Sequence, residues 1–357
     1  MEGCDVVKRN NVTTLKVAAT YIGTIVGAGF ATGQEVMQFF TRFGTIGIIG
    51  LALTTVLFMY FGYIIMDLGY KLSARSHLEI IKFSGGAILG TIVDLLITFI
   101  LFGSFTAMIA GTGALFTQQF NLPSSFGNIL MALLTALTVL TGINGVINSI
   151  SFVVPFLLVA VIGTSVFSII NAPTVQAAAP YLGESSLINN WLLAAILYVS
   201  YNTIISISIL GPLGSEASDR KVIRNGAILG GLGLGLGAIM INLALINNLG
   251  GIANLEVPMI YIAGRISYPI QIAYAVILIA EVYTTAVGSL YGFVSRISPM
   301  QEKPITSRLV IAVTTVAALL ASQFGFSNFV KYLYPLEGYF GIIMLISLVC
   351  AVSRKKK

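Results

Sequence analysis

Residues 95–183 contain no aspartate, glutamate, lysine, arginine or histidine. One membrane crossing takes about 20 apolar residues, so an uncharged run of this length must cross a bilayer several times. Turn-forming residues at 121–125 and 142–148 mark where it folds back. The apolar stretches are continuous and do not alternate, which indicates helices and not a β-barrel. Only 9% of the chain is charged, against about 25% in soluble domains, so we predict an all-α integral membrane protein.

The hydrophobic pattern predicts about ten transmembrane helices, over residues 16–41, 46–69, 87–118, 126–142, 147–170, 190–213, 224–248, 268–295, 307–323 and 332–352. With a cytoplasmic amino terminus, all of the 19 basic residues except Arg42, Arg265 and Lys331 fall in inside segments. This asymmetry predicts a multi-pass protein of the cell membrane with both termini in the cytoplasm. It also explains the net charge of +6 without a nucleic-acid partner.

Within the first predicted span, the stretch Val17–Phe40 is interrupted by Gly23, Gly27, Gly29 and Gly33. A glycine inside a helix costs about 1 kcal/mol relative to alanine, so this clustering predicts a break. Broken backbone survives at membrane depth only where it is buried in protein or lines a cavity. The stretch is therefore a candidate ion and substrate site, with close helix packing through small residues as the alternative.

The chain divides into five spans in residues 1–170 and five in residues 190–357, joined by an extracellular connection at 171–189. Because five is odd, the second half enters the membrane with the opposite orientation. The sixth span has a polar centre at Ser200-Tyr-Asn-Thr and Gly211-Pro212 near its end, which predicts a second discontinuous helix. Paired discontinuous helices in corresponding positions of two halves indicate a transport site.

The backbone N–H groups exposed by the first break would bind an anion such as an amino acid carboxylate. Freed carbonyls near Tyr198–Thr203 would accept hydrogen bonds from an ammonium group, and Tyr198 or Tyr201 would cover the ligand. Each tyrosine is otherwise an ordinary buried aromatic residue. The predicted substrate-binding residues are Thr24, Gly27, Ala28, Gly29, Tyr198, Tyr201, Asn202 and Thr203.

The eighth span carries the hydroxyl pair Thr284-Thr285, with Ser289 one turn later. Hydroxyl and carbonyl oxygens suit a hard cation, so we predict a sodium site here. The alternative is that these hydroxyls bond to their own helix. Glu281, one turn earlier, would ligate the ion or carry a proton, since acids inside a membrane are costly and usually functional.

Three further charged residues lie at the predicted outer end of the first and last spans. Glu35 follows the break by two turns and would face an outer vestibule. Arg42 ends the first span and Glu337 opens the tenth on the same side, so we predict that they form an outer gate.

The motif Gly23-Thr-Ile-Val-Gly-Ala-Gly-Phe, with Ala31-Thr-Gly-Gln-Glu and Gln38-Phe-Phe after it, resembles the unwound first helix of the LeuT-type fold. That fold is shared by neurotransmitter:sodium symporters and the amino acid–polyamine–organocation (APC) superfamily. Within the superfamily the chain looks most like the bacterial putative amino acid permeases. The resemblance implies a 5+5 inverted repeat, a midplane site between helices 1 and 6, and alternating access.

The resemblance also implies that backbone carbonyls of Gly23 and Val26 face the hydroxyl pair of the eighth helix and complete the sodium site. Proton-coupled relatives often carry a lysine in the fifth span, and this chain has none there. Sodium is therefore favoured over a proton as the coupling ion. Glu281 departs from the pattern of sodium-coupled LeuT-type proteins, which usually have a small residue at that position.

The seventh span is rich in glycine, with Gly226, Gly230, Gly231, Gly233, Gly235 and Gly237. It lacks the GK[ST] ending and the preceding strand of a phosphate-binding loop, so close helix packing is the better interpretation. A short surface helix is also expected within the outer loop 250–267.

Other functional classes fit less well. The only histidine, His77, lies in a predicted cytoplasmic loop, so the chain does not look like an intramembrane enzyme. It also lacks the filter-like repeat of a channel. A sensor that has the same fold but does not transport is a further alternative. The sequence thus predicts a secondary active symporter for a small amino acid or related zwitterion, coupled to sodium, with no resident organic cofactor. The alternative is a proton-coupled permease that uses Glu281.

Overall fold

The computed structural model describes residues 12–74, 76–141, 143–171, 186–298 and 304–354. Helices dominate this part of the chain. In order they are α1 (Thr14–Ile25), α2 (Ala28–Thr32), α3 (Gln34–Phe39), α4 (Ile46–Leu72), α5 (His77–Phe120), α6 (Ser124–Leu140), α7 (Ile143–Ile170), α8 (Trp191–Glu216), α9 (Arg220–Ile246), α10 (Leu249–Ile252), α11 (Pro258–Gly264), α12 (Tyr268–Ile297), α13 (Pro304–Ala321), α14 (Phe326–Asn328) and α15 (Tyr334–Arg354).

Seven helical segments in the described residues are long and apolar enough to cross a membrane, and two shorter apolar helices accompany them. Helices α4 to α9, α12, α13 and α15 each overlap one of the predicted spans two to ten. Large apolar side chains such as Leu137, Val159 and Leu236 are exposed on their outer faces, as expected of surfaces that face lipid. The described part of the chain is all-helical, and the protein is an integral membrane protein.

The first predicted span is not one helix. Helix α1 ends at Ile25, Val26 and Gly27 have extended backbone, and α2 begins at Ala28. A second interruption follows at Gly33, whose φ of +79° lies in the left-handed region that glycine adopts without strain. The clustered glycines therefore divide this span into a long first segment and two short ones.

The sixth predicted span, by contrast, is a single helix, and the break expected there is absent. Helix α8 runs without interruption from Trp191 to Glu216. Two of its central polar side chains bond to their own helix: Asn202 Nδ2 donates to the Tyr198 carbonyl at 2.9 Å, and Thr203 Oγ1 donates to the Val199 carbonyl at 2.6 Å. The Tyr198 and Val199 carbonyls therefore already accept hydrogen bonds, which contradicts the prediction that they are free to bind an ammonium group.

The glycines of the seventh span pack helices together, as predicted. A Cβ atom at Gly230 would lie 2.6 Å from the ring of Tyr21 on α1. One at Gly231 would lie 2.8 Å from the backbone nitrogen of Met59 on α4. Helix α9 thus approaches α1 and α4 closely because its glycines have no side chain.

The short helix expected in the outer loop corresponds to α11, but it does not lie on the surface. Pro258, Met259, Ile260 and Ile262 are all buried. Helix α11 contacts α2, α7, α9 and α12, so its apolar residues cover the broken segment of the first span.

Candidate functional site

The break between α1 and α2 opens into a cavity of about 120 Å³. Backbone of residues 23–29 forms one wall, and side chains from α3, α5, α8, α12 and α15 form the others. The polar side chains that line it are Thr24, Glu35, Ser104, Tyr201, Asn202, Thr285, Ser289, Tyr334 and Glu337. The backbone at the break therefore lines a cavity inside the protein. This location is required because unpaired N–H and C=O groups cannot face lipid.

Six of the eight predicted substrate-binding residues line this cavity, namely Thr24, Gly27, Ala28, Gly29, Tyr201 and Asn202. Tyr198 and Thr203 are not among the lining residues. Tyr198 is packed edge-on against Phe39 and Phe40, with ring centroids 5.4 and 5.1 Å apart. Tyr198 is therefore a buried aromatic residue, the alternative that the sequence left open, while Thr203 bonds to its own helix.

The predicted sodium ligands divide into two groups. Thr285 lines the cavity together with Gly23 and Val26, and a Cβ atom at Gly27 would lie 4.0 Å from Thr285 Oγ1. Thr284 instead donates to the Glu281 carbonyl at 3.0 Å. Only one hydroxyl of the pair is therefore directed toward the break, and the other forms the bond to its own helix.

Ser289 is a cavity residue that the sequence noted only in passing. It lies one turn after Thr285 on α12, and its hydroxyl donates to Ser104 Oγ of α5 at 3.0 Å. Ser104 was not predicted at all. Its signal in the sequence was weak, because a single serine in an apolar span is usually satisfied by its own helix.

A second cavity, of about 310 Å³, adjoins the first and shares the lining residues Gly23, Thr24, Thr285 and Ser289. It extends between α5, α8 and α12 as far as Arg296. Glu281 lines this second cavity, and its Oε2 atom is buried without a hydrogen-bond partner. The ends of the helices that surround it are those predicted to face the cytoplasm.

Aromatic side chains close the other end of the first cavity. The rings of Tyr201 and Tyr334 lie 5.2 Å apart, and those of Phe39 and Tyr201 lie 5.8 Å apart. The Tyr201 hydroxyl also donates a hydrogen bond to Glu35 Oε2. Glu35 is therefore buried beneath an aromatic layer formed by Phe39, Tyr198, Tyr201 and Tyr334, and it does not face an open outer vestibule.

The predicted gate between Arg42 and Glu337 is not formed. The ion pairs in the part of the chain that the structure describes do not join these two residues. The Arg42 guanidinium lies over the Phe43 ring, 5.9 Å from its centroid, while Glu337 is 2% exposed and lines the first cavity. Glu337 is thus placed as a cavity residue beside Glu35.

A charged cluster, not predicted from the sequence, lies at the far end of the second cavity. Arg296 of α12 forms an ion pair with Asp94 of α5. His77 Nε2 is 3.2 Å from Asp94 Oδ1 and 3.2 Å from Arg296 Nη2. The cluster joins α5 and α12 where both helices reach the predicted cytoplasmic side.

Comparisons with known proteins place the chain among membrane proteins. No family model matches it. It is 29% identical over 347 residues to the uncharacterized membrane protein YkvI of Bacillus subtilis, with 96% of this chain and 97% of that protein aligned. It is 26% identical over 328 residues to the uncharacterized protein YyaD of the same organism, with 92% and 94% aligned.

Solved structures show the fold. The inward-facing conformation of Mhp1 superimposes with a TM-score of 0.63 at 13% identity, over 96% of this chain and 76% of Mhp1. A substrate-bound, outward-open Na⁺-coupled sialic acid symporter superimposes with a TM-score of 0.62 at 16% identity, over 97% of this chain and 81% of the symporter. MhsT in complex with L-phenylalanine superimposes with a TM-score of 0.56 at 17% identity, over 91% of this chain and 87% of MhsT. The chain therefore has the LeuT-type fold of secondary transporters that its first span resembles.

Proposed function

We propose that the protein is a secondary active transporter, a symporter that moves a small amino acid or related zwitterion by alternating access. The observation that carries this proposal is the interrupted helix at Val26–Gly27, which opens into a cavity between α1, α8 and α12. A backbone break that lines a midplane cavity is the device with which transporters bind small solutes and ions. Transport by solved proteins of the same fold supports it.

Sodium is the proposed coupling ion. The Thr285 hydroxyl and the carbonyls of Gly23 and Val26 would supply its oxygen ligands, because a hard cation prefers neutral and acidic oxygen donors. Thr285 borders the same cavity as those two residues, which supports the assignment. No charge from lysine or arginine lines this cavity among the described residues, and none therefore competes with the cation.

A proton is the second candidate, and one observation favours it. Glu281 is 3% exposed, and its Oε2 atom has no hydrogen-bond partner. A buried carboxyl group with one oxygen unpartnered is costly in its charged form and is suited to exchange a proton with the adjoining cavity. In this alternative Glu281 carries the coupled proton and Thr285 has a structural role.

The topology of the proposed transporter has ten spans in two inverted repeats, residues 1–170 and 190–357, with residues 171–189 outside and both termini in the cytoplasm. The second cavity then faces the cytoplasm, and the aromatic layer closes the outer side. We infer an inward-facing state, in which alternating access requires the aromatic layer to open and the second cavity to close. The cell membrane is the proposed location.

Uptake into proteoliposomes tests the proposal. Labelled amino acids would be offered at fixed pH with an inward sodium gradient, with potassium in its place, and separately with an inward proton gradient. Saturable accumulation that needs sodium supports the symporter and its ion. Accumulation with the proton gradient alone transfers the coupling role to Glu281. Absence of accumulation under both gradients contradicts the proposed amino acid transport.

A further inference from the structure

Two carboxylates line the cavity at the helix break. Glu35 of α3 is 5% exposed and accepts a hydrogen bond from the Tyr201 hydroxyl. Glu337 of α15 is 2% exposed, and its Oε1 atom is buried without a hydrogen-bond partner. Both side chains border the same space of about 120 Å³. The site therefore contains an acidic oxygen that the protein itself leaves unsatisfied.

The described residues that line this cavity include no lysine, arginine or histidine. The ion pairs of the described chain use other acids, since Lys71 and Arg220 pair with Asp67 and Arg296 pairs with Asp94. A buried charge is costly unless it is paired. In the ionised forms of Glu35 and Glu337, the compensating positive charge must then come from outside the protein.

The aromatic residues beside these acids suit an organic cation. The rings of Tyr201 and Tyr334 lie 5.2 Å apart and both line the cavity. An ammonium group is attracted to the faces of such rings as well as to carboxylates. An engineered cavity of about 150 Å³ holds benzene, so this one holds a group of roughly six heavy atoms. A longer solute extends into the adjoining cavity of about 310 Å³.

The acid pair also changes the amine-binding site expected from the sequence. The carbonyls of Tyr198 and Val199 already accept hydrogen bonds from Asn202 and Thr203. Helix α2 has only five residues, so its dipole is too small to bind a carboxylate strongly. If both acids are ionised and the proposed sodium ion is bound in the same cavity, a zwitterion leaves one negative charge uncompensated and a monocation leaves none. Without sodium, a diamine is needed to leave none.

We infer that the substrate is a small solute with a net positive charge, and that its ammonium group binds between Glu35 and Glu337. This inference rests on the proposed transport function and narrows its substrate class from zwitterions to cationic amines. A transition-metal ion as the substrate fits less well, because the described residues contain no group of three acidic, histidine or cysteine side chains that would hold one.

Binding to the purified full-length protein in detergent tests the inference without a transport step. The probes are L-ornithine, 1,4-diaminobutane and L-norleucine, of which the last has a methyl group where ornithine has its terminal ammonium. Thermal stabilisation by the first two at concentrations at least tenfold below norleucine is expected. Equal responses to ornithine and norleucine, or stabilisation by Mn²⁺ alone, would overturn the inference.

Variants link the response to the two acids. Glu337→Gln and Glu35→Gln keep the shape of the side chain and remove its charge, so each should weaken diaminobutane binding at least tenfold. Glu256→Gln is the control, since Glu256 is a partly buried acid outside this cavity. Unfolding temperatures without ligand show whether each variant is folded. Undiminished binding by both folded cavity variants contradicts the inference.

Uptake separates this inference from the proposed function. If cationic amines bind but no probe accumulates under either gradient, the binding site stands and the transport proposal fails. If norleucine accumulates under a sodium gradient and Glu337→Gln leaves that uptake unchanged, the transport proposal stands and the cation site is wrong.

Discussion

The hydroxyl of Thr284 donates a hydrogen bond of 3.0 Å to the carbonyl oxygen of Glu281, one turn earlier in α12. The adjacent Thr285 instead borders the helix break, where a Cβ atom at Gly27 would lie 4.0 Å from its hydroxyl. Successive residues on a helix point about 100° apart, and only Thr285 lines the cavity at the break, although both threonines line the second cavity. Their roles are therefore separable by substitution.

Thr285→Val should lower sodium-dependent uptake at least tenfold, because valine keeps the shape of threonine and removes the proposed sodium ligand. Thr284→Val is the matched control and should lower it less than threefold, since its hydroxyl is bonded within α12. Initial rates measured over a range of sodium concentrations check this prediction. Equal losses in the two variants would show that Thr285 has no special role at the ion site.

Gly231→Ala should destabilise the protein, because a Cβ atom there would lie 2.8 Å from the Met59 backbone nitrogen. Overpacking of this kind typically costs about 1–3 kcal/mol. Gly163→Ala in α7 is the control, since a Cβ atom there meets nothing within 4 Å. Replacing a helical glycine without a clash should stabilise by up to about 1 kcal/mol. Unfolding temperatures in detergent should therefore shift in opposite directions, and a fall in both would contradict the packing argument.

The burial of Glu256 predicts that the stability of the folded protein depends on pH. Its carboxylate accepts a hydrogen bond from the Ser327 N–H at 3.4 Å, and burial raises its pKa above the ordinary value of 4.5. The described residues that line the cavity beside it, among them Gln118 and Ser322, include no other charged side chain. A raised pKa means that the folded state binds the proton more tightly than the unfolded state. Its contribution to stability is thus greatest at low pH and falls as pH rises above about 4.5.

Glu256→Gln removes this titration. The unfolding temperature of the variant relative to the parent should therefore increase as pH rises from 4.5 to 7.5, and then level off. Thermal unfolding in matched buffers measures it, and Glu216→Gln, at an exposed position on α8, controls for a general effect of charge. A difference that is constant across this pH range would contradict a raised pKa at Glu256.

The broken first span was predictable because its cause is local. Glycine weakens a helix wherever it occurs, and Gly33 has the left-handed backbone that other residues adopt less readily, whereas the extended backbone of Gly27 is open to any residue. The sixth span shows the limit of the same reasoning. Asn202 and Thr203 are equally compatible with a break and with bonds to their own helix, and the structure has the second arrangement. Sequence alone does not distinguish these two states of a polar side chain.

The position of Glu337 was not predictable for a different reason. The chain before α15 forms a π-helical turn at Phe329–Leu333, which changes the number of residues per turn. A regular helical pattern therefore assigns the wrong face to the residues that follow. Glu337 lines the same cavity as Glu35, and only the three-dimensional arrangement brings the two acids together.

The ion pair of Asp94 and Arg296 should show energetic coupling between α5 and α12. Asp94→Asn leaves the 20% exposed Arg296 side chain without its carboxylate partner, and Arg296→Gln leaves Asp94 with only His77. Residues in direct contact typically couple by about 0.5–3 kcal/mol, so the double variant should lose less stability than the two single variants together. Chemical unfolding of the four proteins in detergent measures this cycle. Strict additivity would mean that the pair contributes nothing, because the partly exposed Asp94 side chain would then be equally well solvated by water.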